Sequence, residues 1–374
     1  MIIEHIEAKA LRVPVTLDFA GIRKSSSMGL CLASVRTDDG LVGHGISAIS
    51  NEAVVAAAVN HVAAPALAGL DPLRREMIWD RLYWLLSPRG QTGHASHAIA
   101  AVDNALWDIA GKRFGAPIWR LLGAAREKVQ AYVTFGYPFF DIDELAQAAR
   151  YWHARGEHRL KMVVGFQGLQ NRDAGRPPAA IVAEDARRVH AVRQAVGDEA
   201  SLYIDANCSL DAVHAADLCR LIEADRIAFF EEPVTQNDVR QMADLRRRTG
   251  VALAAGQNEG LIHRFRDLLL AGAVDYLQPN VVIGGGITQC VRIAGLAQAF
   301  NVPIVNGGAW PFHNMHLHAG LAHGTMVEYH HLSVEVCKKV FVGLPELEGG
   351  YLRLPEAPGF GFEPDPAALA EFAR

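Results

Sequence analysis

Three oxygen-bearing side chains recur at equal spacing in the middle of the chain. Asp205, Glu231 and Gln257 are 26 residues apart, and each comes at the end of a short apolar run. Two carboxylates and an amide oxygen, without histidine or cysteine, suit Mg²⁺. The spacing therefore predicts a magnesium site in which an amide accompanies two carboxylates. Two alternatives stay open: Glu259 supplies a third carboxylate, or these polar residues only cap helices and line loops.

The strands that precede these side chains must position them. Eight runs rich in β-branched or aromatic residues follow residue 128, and helical stretches rich in Ala, Leu and Arg separate most of them. Buried strands that alternate with helices are typical of an α/β barrel, whose chemistry lies at the carboxyl ends of the strands. A doubly wound open sheet is the structural alternative. The eight runs are residues 129–136, 159–164, 201–205, 227–232, 251–256, 274–280, 302–307 and 326–330.

Composition excludes several other classes of protein. The 374 residues are 50% hydrophobic and 21% charged, with a formal net charge of -5, so we expect no binding of nucleic acid or of an anionic membrane surface. No apolar run approaches the roughly 18 residues of a membrane span, and the first residues do not resemble a signal peptide. The five cysteines are scattered without CxxC spacing, which is typical of reduced thiols. We expect a cytoplasmic protein.

Four segments identify the chain as similar to a known family. They are TDDGLVGHG (37–45), DNALWDIAGKRFGAPIWRLLG (103–123), YIDANCSLD (203–211) and FFEEPV (229–234). Together they resemble the enolase superfamily, in its mandelate racemase/muconate lactonizing enzyme branch, over essentially the whole length of the chain.

The resemblance implies an architecture and a reaction type. The fold would be a (β/α)7β TIM-like barrel with an α+β capping domain, which the N-terminal part and the C-terminal tail form together. We place the capping domain at residues 1–127, the barrel at 128–345 and the tail at 346–374. The chemistry would begin with removal of the proton alpha to a carboxylate, with Mg²⁺ stabilising the negative charge that develops. The family also implies a homo-oligomer, either a dimer or an octamer.

Several site residues follow from the resemblance. Asp205 and Glu231 match the first two metal ligands of the family. Asn207 matches a polar position beside the metal, where it would bind substrate. Lys161 matches the first lysine of a KxK motif, and Glu328 matches a residue that donates a proton or a hydrogen bond to the substrate carboxylate.

Four positions depart from the family pattern. Val163 replaces the second lysine of the motif, and Gln257 replaces the third metal carboxylate. An Asp–His dyad that many relatives use appears here as Asn280, which we predict to bind substrate, and Gly307. The metal platform is retained, whereas the acid/base groups around it differ.

A replacement for the missing base has two candidates. Six of the sixteen histidines lie between residues 313 and 331, and His313 should lie near a loop over the barrel mouth, where a near-neutral pKa suits acid/base work. Lys161 is the other candidate, although it can instead stay charged and hold the substrate carboxylate. Trp310 would form an apolar wall of the site, or else belong to the core. Residues 19–27 match a mobile lid loop of the family, from which Arg23 or Lys24 would contact substrate; the alternative is a solvated basic loop.

We therefore predict a Mg²⁺-dependent lyase that dehydrates a sugar acid to a 2-keto-3-deoxy acid. A racemase, epimerase or cycloisomerase of a carboxylate substrate is the alternative within enzymes. A non-catalytic metal-binding scaffold is the alternative outside them.

Overall fold

The N-terminal part folds into an antiparallel sheet that is covered by helices. The computed structural model describes residues 1–90 and 93–374. The sheet has the order β1–β2–β3, and the covering helices begin directly after it. Its elements are β1 (Ile3–Phe19), β2 (Ile22–Thr37), β3 (Val42–Ala48), α1 (Glu52–Ala58), α2 (Ala64–Leu67), α3 (Arg75–Gly90), α4 (His94–Phe114) and α5 (Ile118–Leu121), with a π-helical turn at Val59–Ala63 between α1 and α2.

Two glycines explain why β3 and α4 lie so close together. A Cβ added at Gly43 would lie 2.2 Å from the carbonyl oxygen of Ala105, and one added at Gly45 would lie 2.3 Å from that of Ala101. These distances are shorter than a van der Waals contact, so only glycine permits this approach of strand to helix. Residues 37–45 and 103–123, two of the four segments that resemble the family, thus pack against each other.

The segment expected to be a mobile lid loop is a β-hairpin. Strands β1 and β2 are joined by a two-residue turn at Ala20 and Gly21, which have φ angles of 51° and 75°. Positive φ at both positions is the geometry that hairpin turns favour. The tip is anchored to the barrel, because Phe19 packs 5.2 Å from Tyr151 and Lys24 pairs with Glu144 at 2.7 Å.

Eight parallel strand segments then form a closed barrel, which excludes the open sheet. Strand pairing runs from β4 to β9, the segment around Ile304 pairs with Leu277, and β10 closes the ring by pairing with β4. Seven helices connect the eight segments, so the predicted (β/α)7β barrel is confirmed. Its elements are β4 (Lys128–Gly136), α6 (Ile142–His153), β5 (Arg159–Val163), α7 (Pro178–Val196), β6 (Ser201–Asp205), α8 (Ala212–Leu221), β7 (Phe229–Glu231), α9 (Val239–Thr249), β8 (Leu253–Ala255), α10 (Ile262–Leu270), β9 (Tyr276–Leu277), α11 (Gly286–Ala299), α12 (Pro311–Gly320) and β10 (Met326–His330).

The last residues contact both parts of the molecule. Helix α13 (His331–Val340) follows β10 directly, and β13 pairs with β4 in the barrel sheet. The final residues return to the capping domain, where the backbone N–H of Arg374 donates to the carbonyl of Ala10 at 3.0 Å. The remaining elements are β11 (Phe341–Val342), β12 (Leu347–Glu348), β13 (Tyr351–Arg353), β14 (Glu363–Pro364) and α14 (Pro366–Phe372). Among the described residues, no helix is both long and apolar enough to cross a membrane.

The barrel interior changes from apolar to polar along the strands. An apolar cluster fills the amino-terminal end, and the partly buried Tyr276 packs against its buried members, which are Tyr132, Tyr203, Phe229, Ala254, Val305 and Met326. Side chains two positions apart on a strand point to the same face, so the next inward-facing residues lie closer to the carboxyl ends. We call these the polar layer: Thr134, Lys161, Asp205, Glu231, Gln278, Gly307 and Glu328.

Candidate active site

Lys161 holds the polar layer together. Its Nζ lies 2.7 Å from Glu231 Oε2, 2.8 Å from Glu328 Oε1 and 3.2 Å from Asp205 Oδ2, and its side chain is 1% exposed. Burial lowers the pKa of Lys161, but the attraction of the carboxylates outweighs burial and raises this pKa well above its ordinary value. Lys161 is therefore an ammonium shared by three carboxylates.

The two predicted metal carboxylates are buried beside each other. Burial raises the pKa of Glu231, and the neighbouring Asp205 raises it further. Burial likewise raises the pKa of Asp205. Within the described part of the chain, Glu231 Oε1 has no hydrogen-bond partner. Both carboxylates are thus placed where a cation would stabilise their charged forms.

Glu328 is held as a carboxylate by donors on three sides. It accepts hydrogen bonds from the Thr134 hydroxyl at 2.5 Å and from the backbone N–H of Ala309 at 2.7 Å, in addition to the Lys161 contact. Burial raises the pKa of Glu328, yet the charge of Lys161 outweighs burial and lowers this pKa below its ordinary value. Glu328 is therefore charged at neutral pH and faces the same interior as the metal candidates.

Gln257 reaches the same place from the next strand. Its Nε2 lies 3.2 Å from Asp205 Oδ2 and 3.2 Å from Glu232 Oε2. Glu259, the alternative third ligand, turns away and pairs with Arg264 at 3.0 Å. The structure thus brings Gln257, and not Glu259, to Asp205.

The donor set fits Mg²⁺. Asp205 and Glu231 supply carboxylate oxygens, and a half-turn of the Gln257 amide would present its oxygen in place of its nitrogen. Among the described residues, no three His, Cys, Asp or Glu side chains are arranged to hold a metal by themselves. An excess of carboxylates over the single ammonium also favours a divalent cation at this place.

Asn207 and Asn280 have different environments. The backbone N–H of Asn207 donates to Asp205 Oδ1 at 2.8 Å, and its exposed side chain lies at the open edge of the metal candidates. Asn280 is buried, and its amide nitrogen donates to the carbonyls of Gly307 and Gly308 at 2.7 and 3.0 Å. Its amide oxygen accepts from Val282 and Asn314. Both ends of Asn280 are used within the protein, so the structure corrects its predicted substrate-binding role to a structural one.

The structure does not bring His313 to the polar layer. His313 lies in helix α12 and not over the barrel mouth, and its buried ring packs 4.8 Å from Phe360 and 5.0 Å from Phe362. Burial lowers its pKa to about 3. The proposed base at this position is therefore wrong, because the tail encloses the imidazole in an apolar cluster.

Two predicted substrate contacts also change. Arg23 lies on the hairpin, its side chain is 76% exposed, and it pairs with Asp18 at 3.1 Å. Trp310 is completely buried in the main hydrophobic core, so it supports the loop next to Glu328 without forming an open wall. Neither residue is placed as a substrate contact by this structure.

Sequence reasoning missed four polar residues near the site. Thr134 binds Glu328, and buried Glu232 accepts from the Gln257 amide. Gln278 belongs to the polar layer, and His330 lies two residues after Glu328 on β10. Successive side chains along a strand point to opposite faces, so every second residue points into the barrel. Counting in steps of two along β4, β9 and β10 could have identified Thr134, Gln278 and His330.

Burial lowers the pKa of His330 to about 4. Its Nδ1 accepts the backbone N–H of Ser333 at 3.3 Å. Its neutral imidazole therefore carries its proton on Nε2.

The buried carboxylates and the one ammonium lie at the carboxyl ends of the barrel strands, which is the end of such barrels where active sites form. Comparison with known proteins identifies the family. A model of the mandelate racemase/muconate lactonizing enzyme N-terminal domain matches residues 3–123, and an enolase C-terminal domain-like model matches residues 143–368. The chain therefore belongs to the mandelate racemase/muconate lactonizing enzyme family.

The relatives are named for three kinds of reaction: dehydration, cycloisomerisation and racemisation. The chain is 29% identical to arabinonate dehydratase of Saccharolobus solfataricus, over 90% of this chain and 88% of that protein. It is 29% identical to 3,6-anhydro-alpha-L-galactonate cycloisomerase of Streptomyces coelicolor, over 99% of each. A racemase structure from Streptomyces coelicolor A3(2) with bound magnesium superposes with a TM-score of 0.88 at 27% identity and covers 100% of both chains.

Proposed function

We propose that the protein is a Mg²⁺-dependent lyase that removes the proton alpha to a carboxylate and dehydrates a sugar acid to a 2-keto-3-deoxy acid. The observation that carries the proposal is the buried Lys161 ammonium, which lies within 3.2 Å of Asp205, Glu231 and Glu328 at the carboxyl end of the barrel. Such a cluster combines a cation site with groups that bind and polarise a carboxylate. The arabinonate dehydratase relative supports the same reaction class.

The proposal gives the charged groups of the polar layer, together with Gln257, a task. Asp205, Glu231 and Gln257 would hold the ion. When bound, Mg²⁺ supplies positive charge that stabilises the developing negative charge on the substrate and offsets the carboxylates around Lys161. Lys161 is the one amine in the polar layer. A base needs a free lone pair, so Lys161 would first release its proton when a bound cation offsets the carboxylates around it. We then assign removal of the alpha proton to its neutral Nζ, and the proton that Nζ gains would pass to the departing hydroxide, which leaves as water. Glu328, oriented by Thr134, holds the Lys161 ammonium in its charged form, and it would donate a hydrogen bond to the substrate carboxylate only when protonated.

A cycloisomerase is the second candidate. It is favoured by the Streptomyces coelicolor relative, which matches over 99% of both chains. The two reactions share removal of the alpha proton and differ in the leaving group, which is hydroxide in dehydration and a ring oxygen in cycloisomerisation. The polar layer serves either reaction, so product analysis must separate them.

One experiment tests the proposal and its alternative. The protein is incubated with excess MgCl₂ in D₂O, with a panel of aldonates that includes arabinonate and with anhydro-aldonates. We expect 2-keto-3-deoxy acids, detected as semicarbazones and by ¹H NMR, and we expect EDTA to abolish them. Ring opening of the anhydro-aldonates, with no keto acid formed from the aldonates, would favour the cycloisomerase. Absence of both products and of deuterium at the alpha carbon would contradict the proposal.

A further inference from the structure

Gln278 is the polar-layer residue for which the proposed mechanism has no task. It follows β9 directly and is completely buried. Within the part of the chain that the structure describes, neither its amide nitrogen nor its amide oxygen has a hydrogen-bond partner. A buried polar atom without a partner costs about 1–3 kcal/mol, so such a side chain indicates a polar group that it binds.

Gly307 explains how the Gln278 amide fits into the polar layer. A Cβ added at Gly307 would lie 2.6 Å from Gln278 Nε2 and 2.8 Å from Glu231 Oε1. Real side chains do not approach so closely, so any residue larger than glycine at 307 would displace the amide. Glycine at position 307 therefore leaves space for the Gln278 amide. Its presence is more than the loss of the histidine that many relatives have there.

Three polar atoms without partners meet at this place. They are the two terminal atoms of Gln278 and Glu231 Oε1, considered among the residues that the structure describes. An amide presents a donor and an acceptor together, and a hydroxyl group can use both. A carboxylate would use only the amide nitrogen, and a cation would use only the amide oxygen. The chemistry of the amide thus fits a hydroxyl better than either charged group.

We propose that Gln278 is a specificity-determining residue that binds a hydroxyl group of a polyhydroxy carboxylate, and that Gly307 is glycine to admit the Gln278 amide. This inference rests on the proposed function, because the hydroxyl is that of the sugar acid. It assigns Gln278 to recognition of the substrate beside Glu231 and leaves proton removal to Lys161.

Two variants test the proposal through different atoms. Gln278→Met keeps the length of the side chain and removes the amide, and Gly307→Ala adds the Cβ that displaces the amide. Controls are Gln289→Met, which removes another buried amide, and Gly295→Ala, which adds a methyl group where nothing in the described chain lies within 4 Å. Each variant is assayed with Mg²⁺ and the aldonate panel, and its thermal unfolding and Mg²⁺ binding are measured by scanning and titration calorimetry.

We expect both site variants to lower kcat/KM for aldonates by about 10- to 100-fold, since each loses a hydrogen bond to substrate. In Gln278→Met, Mg²⁺ affinity should change less than threefold, and the two controls should keep wild-type kcat/KM. Gly307→Ala also crowds Glu231 Oε1, which its added Cβ would approach to 2.8 Å, so its Mg²⁺ affinity should fall as well. Gln278→Met is therefore the variant that separates substrate recognition from metal binding.

Other outcomes distinguish this proposal from the proposed function. Dehydration by wild type with unchanged kcat/KM in Gln278→Met would overturn the role of Gln278 alone. A loss of thermal stability without loss of kcat/KM would do the same, since it would show that the amide serves only internal packing. No consumption of any aldonate by wild type would overturn the proposed function and this inference with it.

Discussion

Replacement of Gln257 by glutamate tests how the third ligand position works. The Gln257 amide nitrogen donates to Asp205 and Glu232, each at 3.2 Å. A carboxylate at this position would turn two hydrogen bonds into two like-charge contacts. With Mg²⁺ bound, the same carboxylate would be a stronger ligand than an amide. The substitution should therefore have opposite effects in the two states.

The size of the metal-free effect can be bounded. Two like charges about 4 Å apart repel by about 4 kcal/mol at an effective dielectric constant of about 20. The new glutamate can avoid this repulsion by staying protonated. At pH 7, protonation costs about 4 kcal/mol for an ordinary pKa of about 4.3. The loss of unfolding free energy is thus at most about 4 kcal/mol. For a chain of this length, that corresponds to a fall in Tm of up to about 5 °C.

Thermal unfolding in EDTA and in increasing MgCl₂ measures both effects. We expect the Tm of Gln257→Glu to lie below wild type in EDTA and to rise more steeply with Mg²⁺, reflecting an affinity at least about tenfold higher. The exposed Gln236→Glu is the matched control, because it adds the same charge away from the polar layer. Equal Tm values in EDTA, or parallel Mg²⁺ dependence, would refute the assignment of Gln257 to the metal position.

Three further substitutions address other residues. Lys161→Arg keeps the charge but cannot release its proton, so substrate binding should persist while kcat falls at least about 10³-fold; a retained kcat would show that Lys161 acts through charge alone. Thr134→Val removes the hydroxyl that binds Glu328 at 2.5 Å, and we expect about a tenfold fall in kcat without loss of Mg²⁺ affinity, measured by steady-state kinetics and calorimetry. His313→Phe should stay active, which an imidazole base would not allow. Burial lowers the pKa of His313 to about 3 from an ordinary value of about 6.5, so its contribution to stability is present above pH 6.5 and declines as pH falls towards 3. Urea unfolding at pH 7 and pH 5 should therefore show wild type losing about 2 kcal/mol more than His313→Phe; equal losses would contradict the pKa shift.

The barrel and the placement of Asp205, Glu231 and Gln257 at one end of it could be predicted because both depend on local periodicity. One strand and one helix take up about 26 residues here, so Asp205, Glu231 and Gln257 had to come to one end of the barrel whatever the details of packing. Family segments added the capping domain, and the contact of Gly43 and Gly45 with α4 shows the physical reason for two of those segments.

The acid/base groups could not be predicted in the same way. His313 has a suitable side chain, but the face of α12 on which it lies packs against Phe360 and Phe362, which come about 50 residues later in the chain. The resemblance suggested a lid loop at residues 19–27, whereas pairing of β1 with β2 continues to the two-residue turn. Both errors arise from contacts between segments that are far apart in the sequence.

The sequence by itself determined the strand–helix repeat, the end of the barrel that carries the polar groups, and the charge of those groups, because these properties depend on residue type and spacing. Only the tertiary structure decided which of the polar groups meet. The Lys161 ammonium lies among carboxylates from three other strands, and the Gln278 amide takes the room left by Gly307 on the neighbouring strand. Such arrangements depend on distances across the barrel, which no local pattern specifies.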